Sequence, residues 1–250
     1  MTIGALEKYI TDTAWEEGWV KVNTPVNSVD KSVGIIGAGP GGLAAADRLR
    51  QAGLEVTIYD RYDRAGGLLT YGIPGFKLEK DVVMRRNEQL EKSGIKFVLN
   101  TNVGEDITFD QIREKHDFVI LATGVYKARE LDIPNGDLNG KVAALDYLTA
   151  SNRLSFGDRV EEFETGTFNA FGKKVVVIGG GDTAMDCVRT AVRQGATSVK
   201  CLYRRDRANM PGSQREVQNA EEEGVIFEWL TSPKGLSNQL RNTAVSYTHL

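Results

Sequence analysis

The sequence predicts an α/β protein with two lobes, each built on a parallel sheet, and three observations carry this prediction. Residues 33–60 run from a short apolar strand through a glycine-rich turn and a helical pattern at 43–51 to a second strand. Residues 175–205 repeat that succession, with the helical pattern at 185–193. A further apolar run at 117–122 ends in a small-residue turn. The expected architecture is two Rossmann-like dinucleotide-binding lobes with parallel sheets.

The first glycine-rich turn has the order G-x-G-x-x-G, formed by Gly37, Gly39 and Gly42. The first glycine permits a tight turn, the second lets the backbone approach a pyrophosphate, and the third lets the helix pack close to the strand. Asp60 ends the second strand, where a carboxylate accepts hydrogen bonds from a ribose diol. The alternative is a glycine-rich turn without a ligand. The flanking strands, the helix and the terminal acid favour a dinucleotide.

The second turn has the accepted variant G-x-G-x-x-A, formed by Gly179, Gly181 and Ala184. Where the first repeat has Asp60, the second is interpreted as having Arg204, followed by Arg205. An arginine offers hydrogen-bond donors to a 2′-phosphate, whereas an acid repels it. The second lobe is therefore expected to prefer NADPH over NADH. The alternative is that these arginines form a solvated face.

Composition excludes several classes of protein. The chain has 250 residues and a formal charge of −3, so no basic field favours nucleic acid or a membrane surface. No apolar run is long enough to span a bilayer, and residues 1–20 do not have the pattern of a secretory signal. The expected location is the cytoplasm. The two cysteines, Cys187 and Cys201, are expected to be buried small hydrophobic residues, and no metal site is expected.

Other segments carry weaker expectations. Apolar residues at helical spacing predict a helix over 3–19, and residues 150–172 are expected to be rich in loops. The run 61–75, with its Gly66–Gly67 pair, is expected to be a cofactor-contacting loop. Thr123 and Gly124 follow a strand end and are expected to approach the same cofactor. The last fifteen residues show no clear periodicity.

Two dinucleotide sites in one chain suggest an electron relay. Hydride passes usefully from a nicotinamide to a flavin, and the cofactors carry this chemistry, so no catalytic side chain is expected. The flavin is assigned to the first lobe because that lobe has the acid, the extra glycine loop and the returning strand. A disulfide reductase of this architecture needs a redox cysteine pair. No such pair occurs, so a dithiol mechanism is excluded.

Five motifs in order resemble the small (beta) subunit of NADPH-dependent glutamate synthase, and less closely the equivalent domains of dihydropyrimidine dehydrogenase. They read GAGPGGLAAADRLRQAG, GGLLTYGIPGFKLEK, LATG, VIGGGDTAMDCVRTAVRQGA and LYRRDRANMPGSQREV. The resemblance implies FAD at Gly37, Gly39, Pro40, Gly42, Leu43, Asp60, Arg61, Gly67, Leu68, Lys77, Val103, Thr123 and Gly124. It implies NADPH at Gly179, Gly181, Asp182, Thr183, Ala184, Arg204 and Arg205.

The resemblance also implies that hydride passes from NADPH to FAD and that electrons continue to a glutamate synthase large subunit, the expected partner. Full-length members hold iron–sulfur clusters in an N-terminal domain, and no residue of this chain is expected to ligate them. The chain is expected to be truncated at both ends, with the FAD lobe incomplete at its C-terminus. Two alternatives stay open: another NADPH:acceptor flavin reductase, or a truncated nucleotide-binding fragment without activity.

The expected domain organisation has four parts. Residues 1–30 form an N-terminal helical extension and linker, and residues 31–130 form the first part of the FAD-binding lobe. Residues 131–235 form the NADPH-binding lobe, and residues 236–250 form an atypical tail.

Overall fold

The computed structural model describes residues 2–127, 133–135, 140–236 and 243–247, and for 243–247 the backbone alone. Residues 128–132 and 136–139, at the expected boundary of the two lobes, and residues 237–242 and 248–250 of the expected tail lie outside this description. The helices are α1 (Ile3–Glu16), α2 (Pro40–Gln51), α3 (Leu68–Tyr71), α4 (Lys80–Lys92), α5 (Phe109–Lys115), α6 (Ala144–Ser155), α7 (Glu161–Glu164), α8 (Asp182–Arg193) and α9 (Gln214–Glu222). The strands are β1 (Ser32–Ile36), β2 (Glu55–Tyr59), β3 (Lys96–Val98), β4 (Phe118–Leu121), β5 (Lys141–Ala143), β6 (Lys174–Ile178), β7 (Ser198–Tyr203), β8 (Ile226–Trp229) and β9 (Thr243–Tyr247).

The chain divides into two compact units. The first unit combines residues 1–66 with 81–123, and the second combines 67–80 with 124–250. The segment 67–80 therefore belongs to the second unit, although in the sequence it lies among elements of the first.

The first unit is built on a four-stranded parallel sheet in the order β3-β2-β1-β4. Its core joins the inward side chains of β1 and β2 to the apolar side of α2, with Ile35, Ile58 and Ala46 fully buried. Gly53, at φ +96°, follows α2 and allows the chain to enter β2. This packing holds the glycine-rich turn at the carboxyl end of β1.

The second unit has a five-stranded parallel sheet in the order β5-β9-β6-β7-β8. Helix α8 is buried more deeply than α2, since eight consecutive positions, 184–191, are buried. Val177, Met185 and Cys187 belong to a single apolar cluster beneath α8. As in the first unit, the glycine-rich turn leads directly from a central strand into a helix. Both sheets are parallel, so the expected α/β fold with two Rossmann-like lobes is confirmed.

Three parts of the chain differ in detail from the sequence expectations. Helices α2 and α8 begin at Pro40 and Asp182, three residues earlier than the apolar patterns at 43–51 and 185–193 indicate. Residues 150–172 are mostly loop, as expected, but they also contain the end of α6 and all of α7. The tail contains β9, which is defined by backbone pairing with β5 and β6 and has no periodicity to reveal it. None of the described helices has the length and apolar character that crossing a membrane requires.

Candidate nucleotide-binding sites

Two glycines of the first turn are needed by the protein's own packing. Gly37 has φ +110°, and a Cβ there would lie 2.4 Å from the carbonyl oxygen of Ala122. A Cβ on Gly42 would lie 2.0 Å from the carbonyl oxygen of Gly37. The N–H of Gly37 donates to the carbonyl of Tyr59 at 2.8 Å. Any larger residue at Gly37 or Gly42 must therefore displace the backbone.

Gly39 differs, because nothing in the described chain requires a glycine there. Its φ of −74° and ψ of 178° suit any residue, and a Cβ would meet no atom within 4 Å. It is the N-cap of α2, with Pro40 in the first turn and no side chain capping the helix. The space above Gly39 is open to a group that approaches the backbone closely. A pyrophosphate at the helix N-terminus fits this opening.

Asp60 is held against the first turn by backbone donors. Its carboxylate accepts hydrogen bonds from the N–H of Ala38 at 2.6 Å and of Tyr62 at 2.9 Å. The two oxygens together can accept about four hydrogen bonds, so capacity for a ribose diol is left. The guanidinium of Arg61 lies over the Tyr62 ring, 5.0 Å from its centroid.

The remaining residues predicted for FAD are distributed over both compact units. In the first unit, Thr123 is exposed and follows Ala122, whose N–H donates to the carbonyl of Ile36 at 2.8 Å. Val103 packs at the edge of a small cluster around Ile36. Leu43 is buried in the core, so only its backbone can face a ligand. Gly67, Leu68, Lys77 and Gly124 belong to the second unit.

The second turn repeats the geometry of the first. The N–H of Gly179 donates to the carbonyl of Leu202 at 3.0 Å, as that of Gly37 does to Tyr59. Gly181 is the uncapped N-cap of α8, and a Cβ there would also meet no atom within 4 Å. Ala184, like Leu43, is buried. The second turn therefore has the same opening above its N-cap glycine.

The strand register corrects one equivalence drawn from the sequence. Ile36 pairs with Tyr59 in the first sheet, and the corresponding Ile178 pairs with Leu202 in the second. Asp60 therefore corresponds to Tyr203, and Arg204 corresponds to Arg61. One extra residue between α8 and β7 shifts the numbering. Instead of an arginine replacing the acid, an aromatic ring takes its position and the arginines come next.

Tyr203 is fixed at this position by three contacts. Its ring is 8% exposed and covers Gly180, where a Cβ would lie 2.4 Å from a ring carbon. Its hydroxyl donates to the carbonyl of Asn209 at 3.1 Å. The ring meets Trp229 edge to face, with centroids 6.5 Å apart. No carboxylate can occupy this position to repel a 2′-phosphate.

A cleft of about 370 Å³ lies over the second turn, within the size range of small-molecule sites. Its walls come from the glycine turn, the end of β7 and two loops, with residues Ile133, Ile178, Gly179, Gly180, Gly181, Thr183, Leu202, Tyr203, Arg204, Arg205, Pro211, Thr231, Ser232 and Pro233. The glycines and arginines of this cleft were predicted from the sequence. Tyr203 and the loop residues were not, because they have no periodic pattern, although Pro211–Gly212 marks a chain break.

The arginines after β7 fall into two kinds. Arg207 makes a two-pronged ion pair with Glu221, at 2.7 and 2.8 Å. Arg204 and Arg205 are exposed at the cleft, and across the part of the chain that the structure describes no carboxylate pairs with either. Two arginines are thus available to an anionic ligand.

Other groups near the second glycine-rich turn make structural hydrogen bonds, including Asp182, which is also a predicted NADPH contact. The carboxylate of Asp182 accepts from the N–H of Ser213 at 3.1 Å, and the N–H of Gly212 donates to the carbonyl of Gly180 at 2.9 Å. These bonds hold the loop before α9 against the turn. The thiol of Cys201 donates to the carbonyl of Gly179 at 3.3 Å, and burial raises its pKa to about 12. Both cysteines are buried, as expected.

The chain is similar over most of its length to proteins named as glutamate synthase small chains. It is 73% identical over 235 residues to the putative glutamate synthase (NADPH) small chain of Cereibacter sphaeroides, a match that covers 94% of this chain and 56% of that protein. It is 62% identical over 245 residues to the glutamate synthase (NADPH) small chain of Azospirillum brasilense, covering 98% and 51%. The chain thus spans about half the length of the curated relatives it matches.

Solved structures share the fold at low sequence identity. Mycobacterium tuberculosis FprA in complex with NADPH matches with a TM-score of 0.65 and 23% identity, over 78% of this chain and 48% of that one. Lactococcus lactis thioredoxin reductase matches with a TM-score of 0.60 and 23% identity, over 84% and 68%. Both sheets and both glycine turns agree with this fold, and residues 31–248 match the family described as pyridine nucleotide-disulphide oxidoreductase. The chain therefore belongs to the pyridine nucleotide-disulphide oxidoreductase family.

Proposed function

We propose that this chain is the NADPH-oxidising flavoprotein part of a glutamate synthase-type enzyme, with FAD at the first turn and NADPH at the second. One observation carries the proposal: Gly39 and Gly181 are both glycines at helix N-caps where the protein leaves open space and supplies no steric reason for glycine. Sequence identity of 73% and 62% to glutamate synthase small chains supports the assignment to that enzyme.

The chain's own residues bind and orient the two nucleotides. The N-termini of α2 and α8 present backbone N–H groups and the positive end of the helix dipole to the pyrophosphates. Asp60 favours a ribose diol in the first site, while Arg204 and Arg205 favour a 2′-phosphate in the second. The two bound cofactors would supply the hydride-transfer chemistry between nicotinamide and flavin. The proposal therefore assigns no acid, base or nucleophile to this chain.

The complete set of proposed cofactor contacts is the one that the resemblance implies, with the exception of Lys77. We further propose that residues 31–130 and 131–235 act as the FAD and NADPH lobes, with 1–30 as an extension and 236–250 as a tail. The proposed partner is a glutamate synthase large subunit, and the proposed location is the cytoplasm.

Anaerobic absorbance spectroscopy tests the function. The purified chain is expected to carry flavin absorbance that decreases on addition of NADPH, and to respond more weakly to NADH. A colourless protein that still binds NADPH would instead support a nucleotide-binding fragment without activity. A chain that binds neither nucleotide would contradict the proposal.

A second candidate is an NADPH-dependent flavin reductase with another acceptor. The chain is 50% identical to the putative oxidoreductase AegA of Escherichia coli, over 94% of this chain and 36% of that protein. Adding a glutamate synthase large subunit and measuring glutamate formation from glutamine and 2-oxoglutarate separates the two candidates. Reduced flavin without glutamate formation would favour the second.

A further inference from the structure

Lys77 forms an ion pair inside the second compact unit. Its ammonium lies 3.0 Å from the carboxylate of Asp186, which lies one helical turn beyond the start of α8. The Asp186 residue is 6% exposed. A carboxylate buried this far destabilises the fold unless a partner neutralises it.

Phe76 fixes the position of its neighbour Lys77. The Phe76 ring lies beneath two guanidiniums of α8, 4.8 Å from that of Arg189 and 3.9 Å from that of Arg193. Both arginines also bind Glu223, at 2.8 and 2.6 Å. This arrangement anchors the backbone around Lys77 on the same side of α8 that carries Asp186.

Asp186 stands close to the proposed phosphate site. It follows the N-cap Gly181 by five residues, a rise of about 7.5 Å along the helix. A carboxylate there reduces the positive potential at the N-terminus of the helix and repels an anionic ligand. Burial raises the pKa of Asp186, and the bond from Lys77 opposes that rise. The Lys77–Asp186 pair therefore determines the net charge on α8 at one helical turn from the proposed phosphate site.

The other charged groups around Asp186 do not replace Lys77. Glu216 and Asp182 are acids and add to the negative potential. Arg189 is engaged by Glu216 at 2.6 Å and by Glu223. The ammonium of Lys80 donates to the carbonyls of Leu69, at 3.0 Å, and of Ile73. Within the described residues, Lys77 is the cation in hydrogen-bonding contact with Asp186.

We propose that Lys77 is a positioning residue of the NADPH site, whose ammonium neutralises Asp186 so that the N-terminus of α8 attracts the NADPH phosphates. This deepens the proposed function and rests on it. This role replaces the FAD contact that the resemblance implied for Lys77.

A double-mutant cycle tests the proposal. The variants are Lys77→Met, Asp186→Asn and the double variant, with Lys92→Met as a control that breaks an exposed pair with Glu88 at 2.7 Å. NADPH affinity is measured by nicotinamide fluorescence, flavin content by visible absorbance, and folding by thermal unfolding. Lys77→Met is expected to weaken NADPH binding about tenfold, since an unpaired charge then faces the phosphates. Lys92→Met leaves the affinity unchanged.

The NADPH affinity of the double variant is the decisive measurement. It is expected to return to within about threefold of the parent's NADPH affinity, because removing the Asp186 charge removes the need for Lys77. If the double variant binds as weakly as Lys77→Met, Lys77 acts through packing and the proposal is wrong. If Lys77→Met loses flavin and keeps its NADPH affinity, Lys77 is an FAD contact and the proposal is also wrong.

If Lys77→Met does not fold, the single variant Asp186→Asn still tests the proposal. This nearly isosteric change should preserve or tighten NADPH binding, and a loss of more than about threefold would overturn the inference. Failure of the proposed function is distinguishable, since the parent chain would then bind no NADPH at all, and the inference would fall with it.

Discussion

At the residue scale, Gly39 and Gly42 stand three positions apart and meet different demands. A Cβ on Gly42 collides with the Gly37 carbonyl, whereas a Cβ on Gly39 points into open space. The sequence motif alone treats them as one fingerprint. The structure separates a glycine that the fold requires from one that it does not.

Gly42→Ala is expected to destabilise the chain by at least about 2 kcal/mol, because backbone must move to admit the methyl group. In flavin-free protein, the matched variant Gly39→Ala should leave stability within about 1 kcal/mol of the flavin-free parent, since its backbone angles suit alanine. Urea unfolding monitored by circular dichroism provides both free energies of unfolding. Equal losses in the two variants would contradict the distinction.

Arg204→Ala is expected to weaken NADPH binding by about tenfold to a hundredfold, the value of a hydrogen bond between charged groups, and to leave NADH binding nearly unchanged. Fluorescence titration with each nucleotide measures the ratio of dissociation constants. Arg207→Ala is the control, because Arg207 is already paired with Glu221. An unchanged ratio in Arg204→Ala would exclude Arg204 from recognition of the 2′-phosphate.

At the element scale, α8 and α9 are joined by charged groups as well as by apolar packing. Partial burial would raise the pKa of Glu223, but hydrogen bonds from Arg193 and Arg189 lower it from an ordinary 4.5 to about 2. The folded chain thus binds this proton less tightly than the unfolded chain does. The stabilisation is fully present above the ordinary pKa and is lost as the pH falls from about 4.5 through 2.

Glu223→Gln is expected to lower stability at neutral pH and to flatten the acid side of the stability curve, because the titrating carboxylate is gone. Urea unfolding of the parent and the variant between about pH 2 and pH 7 measures this difference. The two curves should approach each other as the pH falls. Parallel curves over that range would show that Glu223 does not contribute through its charge.

At the scale of the whole molecule, the chain repeats one strand–turn–helix–strand arrangement in two compact units. The repeat makes the two nucleotide sites separable by mutation. Gly39→Ala is expected to reduce flavin content and to preserve NADPH binding, while Gly181→Ala should do the reverse. Visible absorbance and nicotinamide fluorescence report the two sites independently. Loss of NADPH binding in Gly39→Ala, with the chain folded, would contradict the assignment of FAD to the first turn.

The sequence predicted the strands and helices around both glycine turns well, because local patterns determine them: apolar runs, helical periodicity and glycine stops lie within a few residues of one another. Helix starts were less accurate, since Pro40 and Asp182 begin helices whose first turns contain no apolar pattern. Helix α6 and strand β9 were missed, because burial against other elements and backbone pairing define them.

The sequence by itself determined that this chain contains two dinucleotide folds of one family, and that only the second has two adjacent arginines, Arg204 and Arg205, after its second strand. Tertiary structure decided which residue of the second repeat is equivalent to Asp60. Strand pairing reveals a one-residue insertion, which makes Tyr203 that residue. It also decided that Arg207 is paired, that Arg204 and Arg205 face a cleft, and that Lys77 meets Asp186. These contacts join residues up to 109 positions apart, and no local pattern encodes such distances.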